Sequence, residues 1–262
     1  MKNRSFLIQH LIFSALALLI FSSPSPIAAQ DITAKAYVQK SHDLFLGQSS
    51  ISDMTMTITR PTWSRTISMQ NWSLGQDYYI TYITSPAEDK GQVFLKAEKD
   101  MWNYMPSVNR MIKIPPSMMM QSWMGSDFTN NDLMKENSMV TDYTHTFAGS
   151  ETIEGYDCVI ILLDPKPEAP VVWGKIKMWI AKTKYFGLKV EYYDTDQNLI
   201  KTETASDIKQ MGNREIPTHL VMIPQNKKGN STVMDINYQE FDVKGIDTDF
   251  FSIQNIKRLR PR

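Results

Sequence analysis

A single cysteine, Cys158, is all the chain holds, so no disulfide can form within it. Small exported domains lean on such bridges, but roughly 230 residues can bury enough apolar surface without them. Cys158 opens the apolar run Cys158–Leu163, where it reads as a small buried hydrophobe rather than a reactive thiol. Charge of one sign is lacking as well, with 28 basic residues against 28 acidic ones. A balanced chain has no bulk attraction for nucleic acid or for an anionic membrane, so no nucleic acid is expected as a partner. The terminal group Lys257, Arg258, Arg260 and Arg262 is a local exception and reads as a solvated tail.

Histidine is sparse. His42, His145 and His219 fall on separate expected elements, and none has a partner at the i, i+2 or i, i+4 spacing of a zinc site. The sequence has no Gly-x-Gly-x-x-Gly, no phosphate-cradling Gly-Lys-Ser/Thr loop and no Gly-x-Ser-x-Gly nucleophile turn. Asp194, Asp196 and Asn198 lack the Gly and the distal Glu of a calcium loop, and read as a hairpin turn. An enzyme would require distant residues to converge. The expectation is a non-enzymatic protein with no cofactor and no metal.

Only one long hydrophobic run is present, from Phe6 to Phe21. Lys2 and Arg4 precede it and the Pro/Ser/Ala stretch Ser22–Ala29 follows, which is the three-part order of a secretory signal. The run is too short and too lightly flanked for a stable membrane span. Residues 1–29 are therefore expected to be a cleaved signal peptide, and residues 30–262 a single domain in a bacterial periplasm. Without a cysteine near the cut, a lipid-modified N-terminus has no nucleophile. Loss of Lys2 and Arg4 from the 28 basic residues leaves 26 against 28 acids, a formal charge of −2.

Beyond the leader, Thr33 to Leu46 has the signals of a helix, with Thr33 as N-cap and Gly47 as stop. From Ser52 the period changes to two: Met54, Met56 and Ile58 alternate with Thr55, Thr57 and Thr59, the pattern of a half-buried strand. Further strands are expected at 65–74, 78–84, 92–97, 101–105 and 110–114. A second series follows at 143–148, 156–163, 175–181, 188–193, 200–209, 218–224 and 231–243. Short connections between neighbours imply antiparallel pairing, because parallel crossovers need about a dozen residues. Pro115-Pro116 interrupts the strands, and helices are expected at Ser117 to Met124 and Thr129 to Lys135. The fold class is mainly β (α+β): a curled, half-open antiparallel β-barrel of about eleven strands, with helices covering the concave face. So wide a sheet curls or splits rather than staying flat. A membrane-embedded barrel fits less well, since the strands lack aromatic girdles and the C-terminus is charged.

What the chain does have is methionine. Nine of its 17 methionines lie between Met101 and Met139, interleaved with Trp102, Tyr104, Trp123 and Phe128. Methionine is unbranched and polarizable and repacks around ligands of variable shape. A deformable apolar lining suits an acyl chain held without atom-by-atom recognition. The expected lining or lid residues are Trp102, Tyr104, Met118, Met119, Met120, Trp123, Met124 and Phe128, with Gly125, Ser126 and Asp127 as hinge or cap. An ordinary core with methionine as filler is the plain alternative. Thioethers also select Cu(I), but no His-Met pattern frames the Met118-Met119-Met120 run.

The central segment resembles the outer-membrane lipoprotein-sorting (LolA/LolB-like) family. The resemblance rests on Trp102–Pro106, Arg110, Gln121–Thr129 and Asp132-Leu133. It extends to Lys177–Ile180, Lys189–Asp194, Ile216-Pro217 and Asp249–Phe251. It implies a periplasmic half-open barrel whose helices close a hydrophobic cavity. Such a protein would act as a carrier or chaperone for lipid or lipoprotein cargo. It implies an RND-type inner-membrane transporter as a further partner, and the alternative role of accessory or envelope-stress-sensing module. Arg110 is the candidate lid lock by position.

Overall fold

The computed structural model describes residues 32–134 and 138–261. The leader assigned to residues 1–29 lies outside them, as does Lys135. Helix α1 (Ala34–Leu46) forms where expected: Thr33 Oγ1 accepts the Ala36 N–H at 3.2 Å, and Gly47 ends the helix at φ 64°. That dihedral lies in the left-handed region that glycine enters without a Cβ penalty.

Strands β1 (Ser49–Arg60), β2 (Trp63–Leu74), β3 (Tyr78–Ser85), β4 (Val93–Ala97), β5 (Asp100–Met105) and β6 (Arg110–Lys113) make the first half. The second half is β7 (Tyr143–Ile153), β8 (Tyr156–Pro165), β9 (Lys175–Ala181), β10 (Gly187–Tyr193), β11 (Leu199–Met211), β12 (Arg214–Pro224) and β13 (Ser231–Phe241). The count of about eleven becomes thirteen, because every segment with strand periodicity pairs, including the four-residue β6.

All thirteen strands belong to one sheet in the order β6-β5-β4-β3-β2-β1-β13-β12-β11-β10-β9-β8-β7. Sequence neighbours pair antiparallel throughout, and the two ends of the meander join where β1 pairs with β13, Thr57 facing Val233. The pair left unjoined is β6 and β7. These strands are consecutive in sequence yet form the two edges of the sheet, so residues 114–142 cross from one edge to the other.

That connector carries helices α2 (Asn130–Met134) and α3 (Ser138–Thr141). The helix expected at Ser117 to Met124 is replaced by two 3-10 turns, Pro116–Met118 and Trp123–Gly125. Pro116 starts the first turn. In the second, Met124 takes φ 52° and Gly125 φ 78°, which ends any right-handed helix. Thr129 and Asp132 cap α2 reciprocally: Thr129 N–H donates to Asp132 Oδ2 at 2.7 Å, and Asp132 N–H donates to Thr129 Oγ1 at 3.1 Å. The cap is thus Thr129, not Ser126 or Asp127.

Alternation along the strands divides the apolar side chains between two faces. Met56, Ile58, Ile67, Met69, Ile83, Phe94 and Met101 pack together on one, with Trp123 of the connector. Ile51, Trp72, Ile80, Val93 and Leu95 pack on the other, under the C-terminal segment with Phe251, Ile256 and Leu259. That segment contains α4 (Ile253–Ile256), capped by Ser252. Cys158 is fully buried, and burial pushes its thiol pKa up.

Candidate functional site: a covered cavity

The concave side of the sheet encloses a cavity of about 320 Å³, within the usual range for small-ligand pockets, about 300–1,000 Å³. One wall is mainly apolar and comes from β9 to β12: Ile176, Met178, Val190, Tyr192, Leu220 and Met222, with Glu203 of β11 set between Val190 and Met222. Helix α1 contributes Val38, Phe45 and Leu46. The cover comes from the connector, through Phe128, Leu133, Met139 and Val140, and from Val171 and Trp173 in the loop between β8 and β9. The opposite wall is polar, with His42, Ser50, Ser52, Ser73, Gln76 and Lys96.

Four tethers hold the cover down. Arg60, at the end of β1, sends Nη1 to Asp127 Oδ2 at 3.0 Å and Nη2 to the Gly125 carbonyl at 2.6 Å. Asp127 Oδ2 also accepts the Thr232 hydroxyl at 2.7 Å, and the same hydroxyl accepts the Asp127 N–H at 2.9 Å. The Arg60 and Asp127 side chains are 12% and 3% exposed, so this pair is largely shielded from solvent. A second tether joins Lys201 on β11 to Asp132 on α2 at 2.7 Å. The Lys201 ammonium also stands 5.0 Å from the Trp173 ring centre and 4.9 Å from that of Tyr192. Third, His145 Nε2 on β7 lies 2.8 Å from the Met139 carbonyl. Desolvation lowers the His145 pKa, opposed by that hydrogen bond and aided by Lys35 and Lys166. In the neutral ring, the Nε2–H tautomer donates to the carbonyl. Lys166 Nζ adds a fourth contact by donating to the Thr141 carbonyl at 2.6 Å.

The lining and lid residues singled out from the sequence fall in four places. Phe128 lines the cavity. Trp123, Met119 and Met124 belong to the connector's core contact, where Trp123 meets Phe94 edge-on at 5.4 Å between ring centres. Met118 and Met120 are exposed, so the methionine run divides between core and surface. Trp102 and Tyr104 face away from the cavity and pack in the cluster beneath the C-terminal segment. Period-two alternation puts them there once Met101 faces inward. Within the hinge segment, Ser126 Oγ donates to the Trp123 carbonyl at 2.7 Å and accepts the Phe128 N–H at 3.2 Å. Arg110 is exposed on the edge strand β6, and its side chain has no hydrogen bond or ion pair among the described residues. The arginine that reaches the segment is Arg60, whose position before Pro61 at a strand end gave no signal. The cavity wall of β9 to β12 was legible only as buried strand.

Among the described residues no group of three or more His, Cys, Asp or Glu side chains is placed to hold a metal, and no helix is long and apolar enough to cross a membrane.

Three solved structures share this architecture. A DUF1329 family protein from Desulfovibrio piger superposes with TM-score 0.76 at 24% identity, covering 85% of this chain and 97% of that one. A putative outer membrane lipoprotein-sorting protein domain from Vibrio parahaemolyticus gives 0.73 at 24% identity, covering 86% and 98%. A LolA superfamily protein from Nitrosomonas europaea gives 0.71 at 23%, covering 85% and 99%. At these identities the likeness establishes the fold. No curated protein matches the sequence significantly. The model of a family described as "Uncharacterized protein"-like matches residues 75–258. The chain thus belongs to that family, and its curled, unclosed sheet has the LolA-like fold that the central motif resembles.

Proposed function

We propose that the protein is a non-enzymatic periplasmic carrier or chaperone that holds the acyl chain of a lipid or lipoprotein beneath the connector between β6 and β7. The observation that carries this reading is a cavity with a mainly apolar wall and a cover held to the sheet by side-chain contacts rather than by strand pairing. Burying one methylene is worth about 0.8 kcal/mol. A chain of fourteen would gain on the order of ten kcal/mol before ordering costs. Release of so tightly held a cargo needs a cover that opens, and breaking the Arg60–Asp127 and Lys201–Asp132 contacts is the route the geometry offers. Phe128 meets the cargo directly. Trp123, Met119 and Met124 seat the cover on the sheet, and Gly125 to Asp127 form its pivot. Residues 1–29 deliver the domain of residues 30–262 to the periplasm.

Native mass spectrometry of the protein purified from its own envelope tests this. Co-purifying lipid or acylated peptide, displaced by a fluorescent fatty acid, is the expected result. A clean apo mass together with no uptake of the fatty acid would overturn the proposal.

A second reading rests on a different observation. Val108, Ile112, Met118 and Met120 are exposed near the β5–β6 end, beside the basic Arg110 and Lys113. An accessory or envelope-stress-sensing module of an RND-type exporter would use such a surface. A stable protein partner on an apo protein would favour it.

A further inference from the structure

The cavity is two-sided, with a polar wall facing the mainly apolar one. On the wall formed by the ends of β1 and β2 and by β4, Ser50 and Ser73 are buried and share a hydrogen bond of 2.7 Å between their hydroxyls. Ser52 is buried beside them, its Oγ accepting Asn71 Nδ2 at 3.3 Å, while the Asn71 Oδ1 has no partner among the described residues. Lys96 is 9% exposed, and its ammonium donates to the Gln76 carbonyl at 2.7 Å. His42 completes the wall from α1. Its Nδ1 is 3.3 Å from Gln76 Nε2, and its Nε2 is buried with no partner among the described residues. Buried hydroxyls, amides and an ammonium are costly in a carrier for hydrocarbon alone, because each must be desolvated and satisfied.

We infer that this wall is a head-group subsite, and that the cargo is a single-headed amphiphile with an anionic head, held head-inward against Lys96, His42, Ser50 and Ser73. Its hydrocarbon tail then runs along Met178, Val190, Tyr192 and Met222 toward the cover. The inference rests on the carrier reading and adds cargo class and orientation to it. A carboxylate or phosphate monoester accepts from the ammonium and from hydroxyl donors in one cluster, with charge-assisted bonds stronger than neutral ones. The charged groups elsewhere on the lining are Asp132, paired with Lys201 at 2.7 Å, and Lys189 and Glu203 on β10 and β11. Lys189 is paired with Glu191 at 2.7 Å, and Glu203 stands on β11 between Val190 and Met222.

The test is competition at pH 8 between the full exported protein's fluorescent fatty-acid probe and three ligands of equal chain length: dodecanoic acid, methyl dodecanoate and dodecanol. The acid should bind at least about tenfold more tightly than the ester and the alcohol. Lys96→Met should abolish that preference while leaving alcohol binding within about twofold, and Ser73→Ala should reduce it. Inorganic phosphate alone should not compete at millimolar concentration. Equal affinity for the three ligands would overturn the head-group subsite and leave the carrier reading standing. Failure of all three to bind would overturn both. Lys96-dependent binding of phosphate without a chain would make the wall a free-anion site and also overturn the inference. Should Lys96→Met fail to fold, the acid-to-alcohol ratio in the unaltered protein decides alone.

Discussion

Replacing Arg60 by Ala tests the claim that the cover is held by a shielded ion pair rather than by its apolar contact. The substitution removes the bonds from Nη1 to Asp127 Oδ2 and from Nη2 to the Gly125 carbonyl. It leaves the Asp127 carboxylate, 3% exposed, with the Thr232 hydroxyl and with no countercharge paired to it among the described residues. Breaking a buried pair from one side costs about 3–5 kcal/mol. Arg60 is 12% exposed, so some water reaches it, and we expect about 2–3 kcal/mol. For a domain of this size that corresponds to a Tm lowered by roughly 4–12 °C. The damage should be local: hydrogen exchange should accelerate across residues 115–129 and stay unchanged in β9 to β12. Asp127→Asn placed on top of Arg60→Ala should restore part of the loss, because the stranded charge is gone. A loss below about 0.5 kcal/mol, with exchange in the connector unaltered, would refute this tether and leave the Trp123 contact and the other three tethers to hold the cover.

Three further outcomes are expected. Trp123→Ala, at a fully packed site against Phe94, should cost about 3–5 kcal/mol by equilibrium denaturation; a cost under 1 kcal/mol would mean the connector does not seat there. Filling the cavity with Met222→Trp should abolish fatty-acid uptake while circular dichroism keeps its β signal, and unchanged uptake would place the ligand elsewhere. The third concerns pH. His145 has a lowered pKa in the folded protein, so the unfolded chain binds its proton more readily. The stability it contributes is present above its ordinary value, about 6.5, and is lost as pH falls toward the lower folded value. Thermal melts at pH 7.5 and 5 should therefore differ more for the unaltered protein than for His145→Gln; equal differences would remove His145 from the account.

Much of this fold was written locally. The Met54, Met56, Ile58 alternation against three threonines, the Thr33 and Gly47 caps and the short turns each rest on the physics of a few adjacent residues. Consecutive strands joined by short turns have no option but antiparallel pairing, and eleven of the twelve pairings in the sheet join such neighbours. Methionine density marked the connector correctly as unusual. It did not reveal that Met119 and Met124 turn into the core while Met118 and Met120 turn out, because a pair of 3-10 turns broken at positive φ has no periodicity to read.

The sequence by itself determined the strands and their local partners, since those depend on alternation and turn residues. Tertiary structure alone decided that β1 closes on β13 while β6 and β7 stay apart, which turns residues 114–142 into a bridge over an open side. It also decided which sheet face is concave. Alternation sorts Met101 from Trp102 and Tyr104 but assigns neither set to a cavity until the C-terminal segment covers one face. The Arg60–Asp127 contact spans 67 residues, and the Ser50–Ser73–Lys96 wall gathers three strands. Contacts of that kind are set by where a curled sheet brings strand ends together, which no local propensity encodes.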